Sequence, residues 1–335
     1  MAPDSILFSP LQIRGLRLKN RIVLPPMANN RATLAGDVTD ALTEHYTARA
    51  RGVGLLMIEH TYVAAAGRVH PNQLGINEDS NVPGLMRLAS AIRVAGAPAA
   101  IQITHAGGRA TPEACGTQPE GASAVPVPPQ GSVVPRELTP DDLAVLRQAY
   151  ASAARRAKMA GFAAVEVHGA HGYLLNQFYS PLTNHRTDSY GGDRAGRLRF
   201  PLQVVSSVRQ AVGPDYPLFY RLGADDLIPG GLGVEDAVYA AVALQDAGVD
   251  MIDVSGGLSG SRPEGVSGEG YFSHLSAAVK AAVKVPVMVA GGVVTAQGAE
   301  KLLRDKKADL IGVGRALLAD PEWAFKAAAQ LRASQ

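Results

Sequence analysis

Two hydrophobic rhythms alternate along the chain. Short runs rich in Val, Ile, Leu and Ala recur at residues 21–28, 55–59, 99–103, 164–168, 218–222, 251–255, 287–290 and 310–313. Runs of this length, bounded by turn residues, are those of strands buried on both faces. Between them, apolar residues take the spacing of one helix face. Thr139-Pro140-Asp141-Asp142 offers a capping hydroxyl, a proline in the first turn and two early acids, and Asp320-Pro321-Glu322 repeats that arrangement. Thr39, Ser273 and Thr295 are further N-cap candidates. Gly96, Gly161 and Gly248 stand where helices should stop ahead of the next strand.

Eight strand–helix units in succession predict an α/β fold: a single (β/α)8 TIM barrel, one domain over residues 1–335. The alternative is a doubly wound open sheet. Against it, the first strand is not followed by the Gly-x-Gly-x-x-Gly turn of a dinucleotide fold. Residues 6–19, ahead of the first strand, predict a β-hairpin that caps the barrel floor. Long loops follow strands three, four and six. Residues 106–138 are rich in Pro and Gly, and residues 256–272 in Gly and Ser. Loops of that length in a compact domain usually carry function.

Composition narrows the picture. Hydrophobic residues make up 47% and charged residues 19%, enough for a sizeable core. The net charge is +2 with Lys and Arg dispersed, so no nucleic-acid partner is expected. Cys115 is the one cysteine, which excludes an internal disulfide, a cysteine-ligated iron–sulfur cluster and a structural zinc site. No run approaches the ~20 apolar residues that cross a bilayer. The N-terminus has no signal-peptide pattern. A cytoplasmic protein with no membrane partner is the expectation.

In such a barrel, chemistry sits at the carboxyl ends of the strands. Glu59 and His60 end the second strand, and Gln102 lies on the third with His105 beyond. His168 ends the fourth, followed by His171 and Tyr173, and Arg221 lies on the fifth. Gly291-Gly292 and Gly314-Arg315 end the seventh and eighth. Taken singly, a strand-end histidine is more often a structural residue, and a lone arginine a surface ion pair. Their convergence on one rim favours a site. The glycine pairs let backbone N–H groups approach an anion and Arg315 adds a bidentate charge, so these two loops predict a phosphate site; the bland alternative is two tight turns.

The segment Val167-His-Gly-Ala-His-Gly-Tyr-Leu-Leu-Asn-Gln-Phe-Tyr-Ser-Pro-Leu-Thr-Asn-His-Arg-Thr-Asp-Ser-Tyr-Gly-Gly192 resembles the Old Yellow Enzyme family of FMN-dependent ene-reductases. The bacterial subgroup whose first strand reads like Leu18-Lys-Asn-Arg-Ile-Val-Leu-Pro-Pro-Met27 is the closest in pattern. The resemblance runs from about Phe8 to about Pro321. It implies noncovalent FMN, NADH or NADPH as reductant, an enone-type small-molecule substrate and a homo-oligomer. It also implies roles. Pro25, Pro26, Met27 and Ala28 match the segment packed on the flavin, and His60 lies near it. Gln102 matches the pyrimidine contact and Arg221 the cation near flavin N1. Gly291, Gly292, Gly314 and Arg315 match the phosphate clamp. His168 and His171 match the pair that grips the substrate's activating oxygen, and Tyr173 the proton donor.

Some positions depart from the subgroup. Ala28 stands where a redox-tuning cysteine is common, Asn30 where a tyrosine is, and His60 where the residue is usually small. Two other functions compete. One is FMN-dependent oxidative demethylation or amine oxidation. The other, from a different class, is a metal-dependent hydrolase in which His168 and His171 act with Asp253 or Glu59. His-x-x-His past a strand end is a weak metal signature and would leave the phosphate loops unexplained, so no metal is expected.

Overall fold

The computed structural model describes residues 5–129 and 131–333. It opens with an antiparallel hairpin, β1 (Leu11–Ile13) paired to β2 (Leu16–Leu18). The strands β3 (Ile22–Leu24), β4 (Leu55–Tyr62) and β5 (Ala99–Thr104) follow. A short pair, β6 (Glu120–Gly121) and β7 (Arg136–Glu137), lies within the long loop after β5. Then come β8 (Ala164–Gly169), β9 (Leu218–Gly223), β10 (Met251–Ser255), β11 (Val287–Ala290) and β12 (Leu310–Gly312). Parallel pairing runs β3-β4-β5-β8-β9-β10-β11-β12 and back to β3, which closes the barrel. This is the (β/α)8 architecture the alternating pattern predicts.

Local chemistry sets the boundaries. Thr39, Thr139 and Thr295 each accept a backbone N–H three residues on, at 3.2, 3.2 and 3.0 Å. Ser273 does not cap: it is the first residue of the helix Ser273–Ala282, and Phe272 precedes it with no side-chain bond. Gly96, Gly161 and Gly248 end their helices with φ of 114°, 82° and 98°. The first barrel strand stops at Leu24 instead of reaching residue 28. Pro25 and Pro26 have no N–H for the ladder, so the chain peels away there and joins the rim. Glu59 catches it beyond the prolines: its Oε2 accepts the Asn29 N–H at 2.6 Å. β4 bulges between Ile58 and Thr61, which re-aims the Glu59–His60 pair at the rim.

The lumen is split by polarity. Its lower half is an apolar plug that includes Met57, Ala100, Ala164, Phe219, Met251 and Met288, closed from below by Ile13 and Leu18 of the hairpin. Arg14 at the hairpin tip pairs with buried Asp250, which also accepts from Arg209 at 2.7 Å. The hairpin therefore caps the floor, as expected. Two residues further up β5, β8, β9 and β10 stand Gln102, Glu166, Arg221 and Asp253; the period-2 alternation of strands puts them on the same inward side.

Two arginines, Arg186 buried and Arg109 half-buried, hold the long loops. Arg186 Nη1 donates to the carbonyls of Ala122 and Leu138 at 3.1 and 2.6 Å, and its Nη2 to Asp188 at 2.6 Å. One guanidinium thus pins two points of the loop after β5 to the segment after β8. Arg109 Nη2 donates to Pro128 O at 2.9 Å and Leu258 O at 2.7 Å, joining the loop after β5 to the loop after β10.

Replacing Arg186 by Ala would leave two loop carbonyls unsatisfied. Unfolding free energy should fall by about 2–4 kcal/mol in denaturant titrations, with Lys restoring only part because it cannot fork. A second expectation concerns pH. Burial pushes the Glu59 carboxyl up to about 7, against the pull of the Asn29 and Asn30 N–H groups. A raised carboxyl binds its proton more tightly in the folded state, so its contribution is fully present below the ordinary glutamate range and is lost as pH rises through about 7. The stability difference between wild type and Glu59→Gln should therefore shift against wild type between pH ~4.5 and ~7.5, by on the order of 2 kcal/mol. Equal pH profiles for the two proteins would disprove it.

Candidate active site

The rim has two levels. The lower lies inside the barrel, where Gln102, Glu166, Arg221 and Asp253 are each at most 4% exposed. Gln102 Nε2 donates to Glu166 Oε1 at 2.7 Å. Arg221 Nε lies 3.3 Å from Asp253 Oδ2, its register partner on the next strand. That ion pair is close but misaligned, so Arg221 Nε, both Asp253 oxygens and Glu166 Oε2 make no hydrogen bond. Burial raises the Glu166 carboxyl well above its usual range; the charge of Asp253 adds to this, and Arg221 and Gln102 oppose it. Burial pushes Asp253 up to about 6, again against Arg221.

The upper level is a cluster of rings. His168 closes β8 and stands 5.0 Å, centroid to centroid and edge to face, from both His171 and Tyr173. His60 meets the Tyr173 ring at 5.6 Å. The turn that brings them together is left-handed at His171 (φ 58°) and Gly172 (φ 70°). A Cβ at Gly172 would fall 2.3 Å from Arg109 Nε, so glycine is required there by space as well as by φ. Gln73 Nε2 holds His60 Nδ1 at 2.8 Å. Ser255 Oγ lies 2.7 Å from His171 Nε2 and accepts from Arg221 Nη2 at 3.5 Å. Ser255 Oγ thereby bridges the Arg221 guanidinium and the His171 ring.

Burial first, and neighbouring cations after it, hold His168 and His171 well below the ordinary imidazole range. His60 is lowered to about 4, mainly by burial. All three rings are neutral at neutral pH, each able to donate one N–H. Burial pushes the Tyr173 hydroxyl up to about 12, partly offset by Arg109.

Beside the rings opens a cavity of about 180 Å³. Pro25, Met27, Arg221, Gly291, Gly292, Gly314 and Arg315 line it, as do Ser255, Ser261, Arg262 and Tyr271. Gly291 and Gly292 take φ of 148° and 71°. A Cβ on Gly291 would lie 2.8 Å from the Tyr271 ring, and one on Gly292 would lie 2.3 Å from Gly268 O. Side chains there would fill the cradle.

The expected residues thus fall into three places. Seven line the cavity, Gln102 lies in the charged layer, and His60, His168, His171 and Tyr173 form the ring cluster. Pro26 is buried and Ala28 exposed, and neither lines the cavity. Sequence reading missed four residues. Glu166 carried a signal, a lone acid within Ala-Val-Glu-Val, and Ser255 another, a hydroxyl at a strand end. Arg262 and Tyr271 carried none, because only the fold of their loop brings them to the cavity. Asp253 engages Arg221 and Glu59 engages Asn29, so neither stands with the histidines. Among the described residues no three His, Cys, Asp or Glu side chains group as a metal ion would need, and no helix is long and apolar enough to cross a membrane.

The chain is similar to known proteins over nearly its whole length. Residues 6–334 match the family model of NADH:flavin oxidoreductase / NADH oxidase. A protein of Thermoanaerobacter brockii named NADH oxidase is 41% identical over 96% of this chain and 50% of its own length. A Geobacillus protein named NADPH dehydrogenase is 40% identical over 98% of this chain and 95% of its own. The chain spans about half the length of the first relative and nearly all of the second. A solved structure of the old yellow enzyme homologue from Zymomonas mobilis superposes with a TM-score of 0.86 at 28% identity, covering 97% of this chain and 92% of that one. With a barrel, a charged layer and a glycine-lined cavity that this match covers end to end, the chain belongs to the NADH:flavin oxidoreductase / NADH oxidase family, a family of FMN enzymes.

Proposed function

We propose that the chain is an NAD(P)H-dependent FMN ene-reductase that reduces the activated C=C bond of α,β-unsaturated carbonyl compounds. The observation that carries this reading is the pair of neutral imidazoles with Tyr173 edge-on beside them. Two donors and one acid on a single turn match the polarity of an enone.

The residues fit FMN. Arg221 Nε is buried with no hydrogen-bond partner, and the Gly291-Gly292 cradle has room that any side chain would fill. Gly291, Gly292, Gly314 and Arg315 would hold its phosphate, Pro25 and Met27 would pack on its ring, and Gln102 and Arg221 would meet its pyrimidine edge. Bound FMN supplies hydride transfer, from NADH or NADPH to the substrate's β-carbon.

The chain's own residues do the remaining work. His168 and His171 donate N–H groups to the carbonyl oxygen, where negative charge develops. Because they are neutral they stabilise that charge without surrendering a proton. Ser255 holds the orientation of the His171 ring through its Nε2. Tyr173, pushed up to about 12, keeps its hydroxyl proton at neutral pH and delivers it to the α-carbon. Arg221 places a permanent charge where electrons arrive.

The purified protein should be yellow, with a flavin absorption spectrum that denaturation releases into solution. Tyr173→Phe should slow enone-dependent reoxidation by roughly 10²-fold in stopped flow and leave reduction by NADH or NADPH within about threefold. Equal losses in both half-reactions would remove Tyr173 as the acid. Arg315→Ala should weaken FMN by on the order of 10–100-fold while barely changing riboflavin, which lacks the phosphate. Equal weakening of both would place the phosphate elsewhere.

A further inference from the structure

The functional reading leaves two buried acids without a task. Glu166 and Asp253 are both 0% exposed, and three of their four carboxylate oxygens make no hydrogen bond. One guanidinium, Arg221, lies between two acids. Were both ionised, the layer would hold one uncompensated negative charge in a medium where an unpaired charge costs several kcal/mol. One proton between the two carboxyls makes the layer neutral.

Hydride transfer then changes the sum. A hydride brings two electrons and one proton, and so one unit of negative charge, to a group seated against Arg221. We propose that Glu166 and Asp253 form a proton-holding pair that keeps one proton while the bound FMN is oxidised and two while it is reduced. The balance is simple. NAD(P)H gives up hydride and becomes NAD(P)⁺, the flavin gains that hydride, and the remaining carboxylate takes one proton from water. When hydride leaves for the substrate, the same carboxyl returns its proton to water. The net charge inside the barrel stays constant through the cycle. The idea rests on the functional reading above.

The surroundings favour this exchange and limit its route. Below the layer is the apolar plug with Phe219 and Met251, so protons cannot come from the floor. Arg221 of the layer and Ser255 above it both lie on the cavity wall. β5 presents the neutral amide of Gln102, β8 adds His168 above Glu166, and the turn beyond adds His171. His60 is the titratable group of the β4 end near these rings, and Glu59 is engaged with Asn29. Opposite, Pro25, Ala290 and Gly312 bring no charge. Arg221 is thus the cation that faces the acids directly. Asp253, pushed up to about 6, is poised to accept a proton near neutral pH once negative charge appears beyond Arg221.

The test is redox-difference infrared spectroscopy of the FMN-loaded protein near pH 7.5, with proton uptake followed by an indicator dye in weak buffer. Reduction with stoichiometric NADH or NADPH should add a carboxylic-acid carbonyl band that shifts in heavy water, with one proton taken up per flavin. Below pH ~5.5 that gain should vanish, because the second proton is already in place. Glu166→Gln should keep the band, since Asp253 remains; the double variant Glu166→Gln/Asp253→Asn should lose it and flatten the pH dependence of the flavin potential. Reduction of wild type without a new carboxylic-acid band would overturn the proposal, whatever the variants do. A protein that takes up no FMN would overturn the functional reading, and the pair's role with it; absorbance tells the two failures apart.

Discussion

A guanidinium ion buried inside a closed barrel is the constraint from which the site is built. Arg221 lies at 4% exposure, with the apolar plug that includes Phe219 directly below it in the lumen. Such an ion stays charged, so the protein must surround it with compensation. Asp253 on the next strand supplies the counter-charge, Ser255 takes a second N–H, and Glu166 binds Gln102 alongside. Ser255 carries the contact upward to His171, and so the placement of the ring cluster depends on a group one level below it.

Much of this was legible in the residues. Barrel strands are short apolar runs, and β10 and β11 begin and end where their runs do. The overreach at the first strand came from treating Pro25 and Pro26 as apolar, when their missing N–H groups decide the matter. Ser273 failed as a cap because the chain enters its helix one residue earlier, at Phe272, with no side-chain bond. Gln102, Arg221 and His168 were visible because, although each alone has a structural reading, they converge on one rim. Glu166 hid one step lower, where its meaning depends on which neighbours face it across the lumen. Arg262 and Tyr271 lie on a loop whose path no local pattern dictates.

The competing chemistries meet the same geometry with less success. A metal site would need Asp253 or Glu59 beside the histidines, but Arg221 and the Asn29 N–H hold those carboxylates. The histidine rings face each other edge to face at 5.0 Å, an arrangement suited to donating towards a shared acceptor. Oxidative chemistry on an amine would have no evident use for two neutral donors that answer a developing oxyanion. The ring cluster is the feature on which the proposed substrate polarity rests.

Arg109 has a mechanical side. Its single Nη2 holds the carbonyls of Pro128 and Leu258, 130 residues apart on two loops, and its guanidinium fills the space beside Gly172. Neither loop can lift without stretching a charge-assisted bond to the other, and the turn that carries His171 and Tyr173 lies against the same side chain. The mouth of the barrel consequently behaves as a drawstring: tension on one loop is felt in the other and at the ring cluster together. Substitutions that enlarge one side of the mouth would be transmitted around its circumference, so pocket shape and ring geometry are inherited as one character.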